Sequence, residues 1–324
     1  MDAAEEQMIG RVAAVTDPGR TRRHNEDSYV IEPPLFAIAD GMGGAQAGEV
    51  ASRLATAALK EGQADAAGEQ RITDLIQEAN RRVYDRSSSD PNTSGMGTTI
   101  TVALVEDDHV SFGHVGDSRA YLIRDASMEQ LTEDHSLVNE LLKTGKLSRE
   151  EAETHPQRSV ITRALGTDPD VDVDTFSVLA ENGDLFLLCS DGLTDMVSEE
   201  SILDVVERNR DDIEGALRAL VTEANRGGGQ DNFTVVAFEI ADGVLARDGD
   251  TREQALPAAN DDEATLSELD GVPVIDTAVV SVDEIQAVDK AVRRRRRRRR
   301  ILAWLAILLL VAAVAVLLYL RFVR

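Results

Sequence analysis

The sequence predicts an α+β fold in which an antiparallel sheet system is covered by helices, and three observations predict it. Short apolar runs at strand length recur through residues 36–240, two further segments carry apolar residues at helical spacing, and at least one strand pair is joined by a hairpin-length connection. Strands and helices do not alternate one for one, so a doubly wound parallel sheet is not expected.

The elements follow in chain order. Strands are expected at 36–39, 99–105, 110–115, 120–123, 185–189 and 234–240, each an apolar run bounded by turn formers. Glu106-Asp107-Asp108-His109 joins the second strand to the third. Ile72, Leu75, Ile76, Ala79 and Val83 lie on one helical face, and so do Ile213, Ala216, Leu217, Leu220, Val221 and Ala224. Ser148 with Glu151 three residues on is a capping box for a short helix. These elements make one domain, assigned to residues 1–240 with its regular structure from residue 9. No internal repeat is visible.

The 324 residues are 43% hydrophobic, enough for a sizeable core, with aromatics at only 4%. The single cysteine, Cys189, excludes an internal disulfide framework and a four-cysteine zinc site. It falls on an apolar strand, where a buried packing role is expected. The acidic start of the chain has no apolar run, which predicts no secretory signal peptide. Net charge is -25 but unevenly spread. Residues 1–240 carry -25, residues 241–292 carry -10, and the remainder carries ten arginines and no acid. An acidic body disfavours nucleic acid as a partner.

Residues 241–292 are acidic, aperiodic and contain Pro257 and Pro273, the composition of a disordered linker. Residues 293–300 are eight consecutive arginines. Residues 301–320 are free of charge and almost wholly apolar, long enough as a helix to cross roughly 30 Å of hydrocarbon. Trp304 and Tyr319 stand near its ends, and a short tail, 321–324, follows. Arginines beside an apolar span mark its cytoplasmic flank. The expectation is a single-pass protein of the cell membrane with residues 1–240 in the cytoplasm.

Four aspartates sit where apolar strands meet tight turns. Asp40 follows the run at 36–39 and precedes Gly41-Met42-Gly43-Gly44. Asp117 lies in Gly116-Asp117-Ser118-Arg119, Asp191 precedes Gly192, and Asp231 follows Gly227-Gly228-Gly229-Gln230. Any one Asp-Gly pair by itself reads as a turn. Four carboxylates at strand ends, with Arg22-Arg23-His24-Asn25-Glu26-Asp27 upstream, point to a shared cation, because converging carboxylates repel one another without one. Oxygen-only ligands select a hard divalent ion, magnesium or manganese.

These segments, with Gly97-Thr98-Thr99, Ser190-Asp191-Gly192 and Gln230-Asp231-Asn232, resemble the ordered motifs of the metal-dependent serine/threonine protein phosphatases of type 2C, the PPM family. His155-Pro156-Gln157-Arg158-Ser159 and Thr162-Arg163-Ala164-Leu165-Gly166 are similar to the bacterial members. The resemblance implies a four-layer αββα sandwich of two antiparallel sheets flanked by helices. It implies that Asp40 bridges two Mn2+ or Mg2+ ions, that the Gly41 carbonyl binds one of them, and that Asp191 and Asp231 complete the first ion's protein ligands. Glu26 and Asp27 would act near the second ion through water, and Asp117 with Asp191 would hold a third, weaker ion. Arg22 would bind the substrate phosphate, where a planar fork suits two oxygens. Phosphoserine and phosphothreonine would then be hydrolysed by direct attack of water held between two ions, its pKa lowered by them, with no phosphoenzyme.

One position departs from the eukaryotic pattern. Met42 stands where a histidine would act as general acid, which leaves His24, His114 and His135 as substitutes and an ion-held water as the preferred donor. The expected partners are phosphorylated serine/threonine kinases and their phosphoprotein substrates, with a monomeric catalytic domain. The rival readings are a regulatory pseudophosphatase that binds phosphoproteins without turnover, and another two-metal hydrolase such as a nuclease. Sequences of the form GxxxxGK[ST], HExxH and GxGxxG are absent, so kinase, zinc-protease and dinucleotide readings have no support.

Overall fold

Period-two alternation along the central strands sets the layers of the fold. In a computed structural model the described residues are 9–43, 47–62 and 66–241. The linker, arginine run and apolar span expected from residue 242 onward lie outside them. Among the described residues no helix is long and apolar enough to cross a membrane.

Among the described residues there are eleven strands: β1 (Ile9–Asp17), β2 (Asp27–Glu32), β3 (Leu35–Met42), β4 (Gly97–Thr98), β5 (Ile100–Glu106), β6 (His109–Val115), β7 (Arg119–Arg124), β8 (Ser127–Gln130), β9 (Asp174–Leu179), β10 (Leu185–Cys189) and β11 (Phe233–Ile240). One sheet runs β1-β11-β10-β7-β8 and the other β2-β3-β5-β6-β9, with β4 paired to β3. Neighbouring strands pair antiparallel in both sheets. On β10 and β11, Phe186, Leu188, Val236, Phe238 and Ile240 face the opposite sheet, where they meet Phe36 and Ile38 of β3 and Phe112 of β6. Phe36 stacks on Phe238 at 4.1 Å between centroids, and Phe186 lies 5.2 Å from Phe238. Replacing one of these rings by alanine would cost about 3–5 kcal/mol.

The alternate residues face helices. Leu185, Leu187, Cys189, Val235 and Ala237 pack under α6 (Glu199–Arg208) and α7 (Ile213–Gly227). Ala37 and Ala39 of β3 pack under α1 (Ala47–Glu61) and α2 (Gly68–Ser89). The expected four layers are therefore present. Short helices α3 (Leu137–Lys143), α4 (Arg149–Glu153) and α5 (Asp191–Thr194) lie in the connections. The capping box on α4 forms as expected. Cys189 is buried in the helix-facing layer, and burial pushes its thiol up to about 12, in keeping with a packing role.

Three expectations change in detail. The strand expected at 36–39 runs on to Met42, so Asp40 lies within β3 and not after it. Asp191 opens a short helix, α5, where a turn was expected. The hairpin between β5 and β6 tightens to the two residues Asp107 and Asp108, because Glu106 pairs with His109 and Asp107 adopts a φ of 50°.

Candidate metal and phosphate site

The carboxylates meet because the strands that carry them end on the same side of the sandwich. Asp40 is near the end of β3, and Asp27 opens β2 directly opposite it in register. Asp117 follows β6, Asp191 follows β10, and Asp231 precedes β11, which runs antiparallel to β10. Arg22, Glu26, Asp40, Gly41, Met42, Gly43, Asp117, Ile161, Asp191 and Asp231 line one cleft of about 470 Å³ including its open mouth. Of the eight sequence-predicted site residues, Asp27 alone stands behind the wall. It is 9% exposed, and its Oδ2 accepts from Ser190 Oγ at 2.9 Å.

Close backbone approach holds the site together. A methyl group at Gly41 would lie 2.1 Å from the Gly48 carbonyl oxygen, so only glycine lets the start of α1 pack on β3. A methyl at Gly192 would lie 2.1 Å from the Asn232 carbonyl oxygen, which packs α5 against the start of β11. The Asp40 backbone N–H donates to Thr99 Oγ1 at 3.0 Å, and its carbonyl accepts from Thr98 Oγ1 at 2.8 Å. Thr99 Oγ1 shares a 2.9 Å hydrogen bond with Ser118, next to Asp117.

Asn232 ties the arginine-bearing loop to the aspartate beside it. Its Oδ1 accepts from the Glu26 N–H at 2.8 Å, and its Nδ2 donates to the carbonyls of Pro18 and His24 at 3.1 and 3.0 Å. Its own N–H donates to Asp231 Oδ1 at 2.8 Å. Arg22 donates to Asp231 Oδ2 at 2.9 Å. Thr99, Ser118, Ser190 and Asn232 all fall inside the quoted motifs, yet nothing in their residue types announced which ligand each would hold.

The electrostatics identify what the cleft fits. Burial, reinforced by Asp27, Asp191, Asp231 and Asp117, drives the Asp40 carboxyl well above the usual range. Burial and then Asp117 and Asp231 do the same to Asp191. Burial lifts Asp117 to about 7, Glu26 to about 7 and Asp27 to about 6. The guanidinium of Arg22 loses by burial but gains more from Asp231, and stays firmly charged. Asp117 Oδ1 and Asp27 Oδ1 are buried with no hydrogen-bond partner among the described residues. Carboxylates this destabilised, with unpaired oxygens, fit a hard divalent cation. Among the described residues no three acidic or histidine side chains close into a single-ion cage. The carboxylates instead line one shared wall of the cleft.

None of the three histidines weighed as proton donors lines the cleft. His114 is fully buried, with Nε2–H donating to the Glu133 carbonyl at 3.2 Å and Nδ1 accepting from Thr101 Oγ1 at 2.9 Å. Its burial lowers its pKa to about 3. His135 is engaged behind the Asp117 turn, and His24 is exposed. Met42 lines the cleft and carries no proton.

The family profile described as protein phosphatase 2C matches residues 23–224. Over 236 residues the chain is 44% identical to the serine/threonine phosphatase stp of Listeria welshimeri, covering 69% of this chain and 93% of that protein. It is similar to the crystal structure of the Mycobacterium tuberculosis serine/threonine phosphatase PstP, with a TM-score of 0.67 at 39% identity over 71% of this chain and 98% of that one. A structure of the PstP catalytic domain in complex with two manganese ions matches with a TM-score of 0.66 at 37% identity over 72% of this chain and 98% of that one. Fold, ordered motifs and cleft agree with these matches: the chain belongs to the protein phosphatase 2C family.

Proposed function

We propose that the protein hydrolyses phosphoserine and phosphothreonine in proteins with Mn2+ or Mg2+ as cofactor. The observation that carries this reading is the convergence of Asp40, Asp117, Asp191, Asp231 and Arg22 on one cleft in a chain of this family. Asp40, the Gly41 carbonyl, Asp191 and Asp231 would hold two core ions. Glu26 would act near the second ion through water, with Asp27 behind it, and Asp117 with Asp191 would hold a third, weaker one. When bound, the ions supply Lewis acidity and lower the pKa of the attacking water.

The chain's own groups do the rest. Asp231 grips one edge of Arg22 and turns its fork into the cleft, so the remaining N–H groups meet the phosphoryl oxygens as charge builds on them. Asn232 keeps the loop bearing Arg22 and Glu26 in place. Met42 and Ile161 supply apolar wall beside the phosphate. With no histidine lining the cleft, the proton for the departing seryl or threonyl oxygen comes from water. A pseudophosphatase would not need the four aspartates and Arg22 together.

The discriminating experiment is Mn2+-dependent phosphate release from phosphothreonine, phosphoserine and phosphotyrosine peptides, with single-stranded DNA as a nuclease control. Turnover of the first two alone is expected. Cleavage of DNA, or tight phosphopeptide binding without turnover, would overturn the assignment.

The sequence from residue 241 onward supports a membrane setting. Residues 301–320 serve as a single transmembrane helix, residues 293–300 as its cytoplasmic flank, and residues 241–292 as a tether with an r.m.s. reach on the order of 40 Å. The substrates are then phosphorylated serine/threonine kinases and phosphoproteins near the cytoplasmic face of the cell membrane, met by a monomeric catalytic domain with no nucleic-acid partner.

A further inference from the structure

His135 is a buried side chain to which the proposed mechanism gives no part, and its contacts single out one peptide unit of the site. It is 4% exposed and follows β8. Its Nδ1 accepts from the Gly116 N–H at 3.0 Å, and its own N–H donates to the Gly116 carbonyl at 2.7 Å. Both polar groups of the residue that precedes Asp117 are thus held by one residue. Gly116 adopts a φ of +116°, and a methyl there would lie 2.6 Å from the Thr99 side chain. The turn is therefore wedged against Thr99 on one side and gripped by His135 on the other.

The ring has a fixed tautomer. Because Nδ1 accepts, Nε2 carries the hydrogen, which it donates to Asp174 Oδ2 at 3.1 Å. Arg163 donates to Asp174 Oδ1 at 2.5 Å and to the Asp172 carbonyl at 3.1 Å, holding that carboxylate in place. Arg163 also lies 3.0 Å from His135 Nε2, but with Nε2 protonated its hydrogen bonds go to Asp174 and Asp172. Beyond the ring, the His135 carbonyl accepts from the Thr162 N–H at 2.8 Å, and Ser136 bridges to Ile161, which lines the cleft. A carboxylate–histidine chain that ends one residue from a candidate ligand has the form of the outer partners that orient ligands at metal sites.

We infer that His135 is a positioning residue for the weaker ion: through Gly116 it sets the direction of the Asp117 carboxylate, and Asp174 and Arg163 set the direction of His135. This rests on the proposed reading of Asp117 as a ligand of that ion. The buried Asp117 Oδ1, without a hydrogen-bond partner among the described residues, is the atom so aimed.

The test separates the two ring nitrogens. An asparagine amide can stand in for Nδ1, and a glutamine amide can stand in for Nε2. His135→Asn therefore keeps the acceptor for Gly116, whereas His135→Gln keeps only the donor for Asp174. The full chain in detergent, titrated with Mn2+ alone by calorimetry, gives tight and weak binding phases. His135→Gln is expected to weaken the weak phase roughly 10–100-fold and leave the tight phase unchanged, while His135→Asn, which keeps the acceptor for Gly116 and loses only the Asp174 contact, weakens it by much less. A purely structural role would shift both variants together, in step with their melting temperatures, and that result would overturn the inference. Asp117→Asn is the reference. If it leaves the weak phase unchanged, the reading of Asp117 fails whatever His135 does. If it weakens that phase and His135→Gln binds like wild type, the positioning role alone fails. Should His135→Gln not fold, Asp174→Asn, at a side chain 48% exposed, reports instead. It is expected to shift the weak phase in the same direction, and no shift there would count against the inference.

Discussion

Truncating Asn232 tests how the loop that carries Arg22 is held. The side chain is 4% exposed and satisfies three backbone groups, the Glu26 N–H and the carbonyls of Pro18 and His24. Asn232→Ala leaves all three unpaired. Each buried, unsatisfied group costs about 1–3 kcal/mol, which puts the ceiling near 9 kcal/mol. Residues 22–26 are partly exposed, so water reaches some of these groups, and a loss of about 2–4 kcal/mol is expected. In a domain of this size that lowers Tm by about 5–15 °C. Because the freed loop carries Arg22, KM for a phosphothreonine peptide rises more than kcat falls. Thermal unfolding by circular dichroism and steady-state kinetics at saturating Mn2+ read the two effects. A Tm within a degree or two of wild type with an unchanged KM would refute the pinning role of Asn232.

The remaining predictions concern phosphate, protons and topology. Arg22→Ala removes a charge-assisted contact to phosphate of about 1.5–3 kcal/mol, so KM should rise roughly 10–100-fold with Mn2+ binding little changed by calorimetry; an unchanged KM would contradict the role. Without divalent ions, Asp117 and Glu26 hold protons up to about 7 and Asp27 up to about 6, against ordinary values of 3.8, 4.5 and 3.8. The folded state then binds more protons than the unfolded one between these limits, so stability is greatest below about pH 4 from these groups and is lost as pH rises towards 7. Scanning calorimetry of the metal-free protein should give a higher Tm at pH 5.5 than at pH 7.5, with Mn2+ reversing the order because its ligands must be deprotonated; a metal-free Tm that rises with pH over this range would contradict the account. A fragment ending near Ile240 should match the full chain on small phosphopeptides, while the full chain partitions with membranes. Its first 240 residues should resist protease in intact cells and be digested in inverted vesicles, and digestion in intact cells would overturn the proposed topology.

The central strands were legible in the sequence because both of their faces are buried. β10 and β11 sit between a helix layer and the facing sheet, so all of β10 and every residue of β11 but Thr234 and Glu239 is apolar and the run announces itself. The strands at the sheet margins gave no such signal. β1 carries Gly10 and Arg11, β8 is partly exposed along its length, and β9 mixes Asp174, Thr175 and Ser177 into a half-exposed edge. Helix α1 was missed for a different reason. Its buried face is Ala47, Gly48, Ala51, Ser52, Ala55, Thr56 and Ala58, with Leu59 as the one large side chain. Small residues are required there because Gly48 lies against Gly41, yet they carry little hydrophobic contrast.

The candidate site was legible at its aspartates and opaque at its supports. Asp40, Asp117, Asp191 and Asp231 stood out by their place beside strands and glycines, and the structure brings them to one cleft. Asp27 differs because β2 pairs with β3 in a register that turns it toward Ser190 and not into the cleft. The roles of Asn232 and His135 depend on contacts 206 and 19 residues away in sequence, which no local pattern encodes.

The most direct test of the central claim is Mn2+-dependent phosphate release from a phosphothreonine peptide by wild type and by Asp40→Asn. Asparagine keeps the size of the side chain and the backbone bonds to Thr98 and Thr99, so the fold should survive and can be checked by circular dichroism. If Asp40 holds the core ions as proposed, its loss removes several kcal/mol of transition-state stabilisation, roughly a thousandfold or more in kcat. The account predicts a folded, nearly inactive protein that excess Mn2+ does not restore. A folded Asp40→Asn variant that turns over within about tenfold of wild type, a difference of about 1.4 kcal/mol, would contradict it.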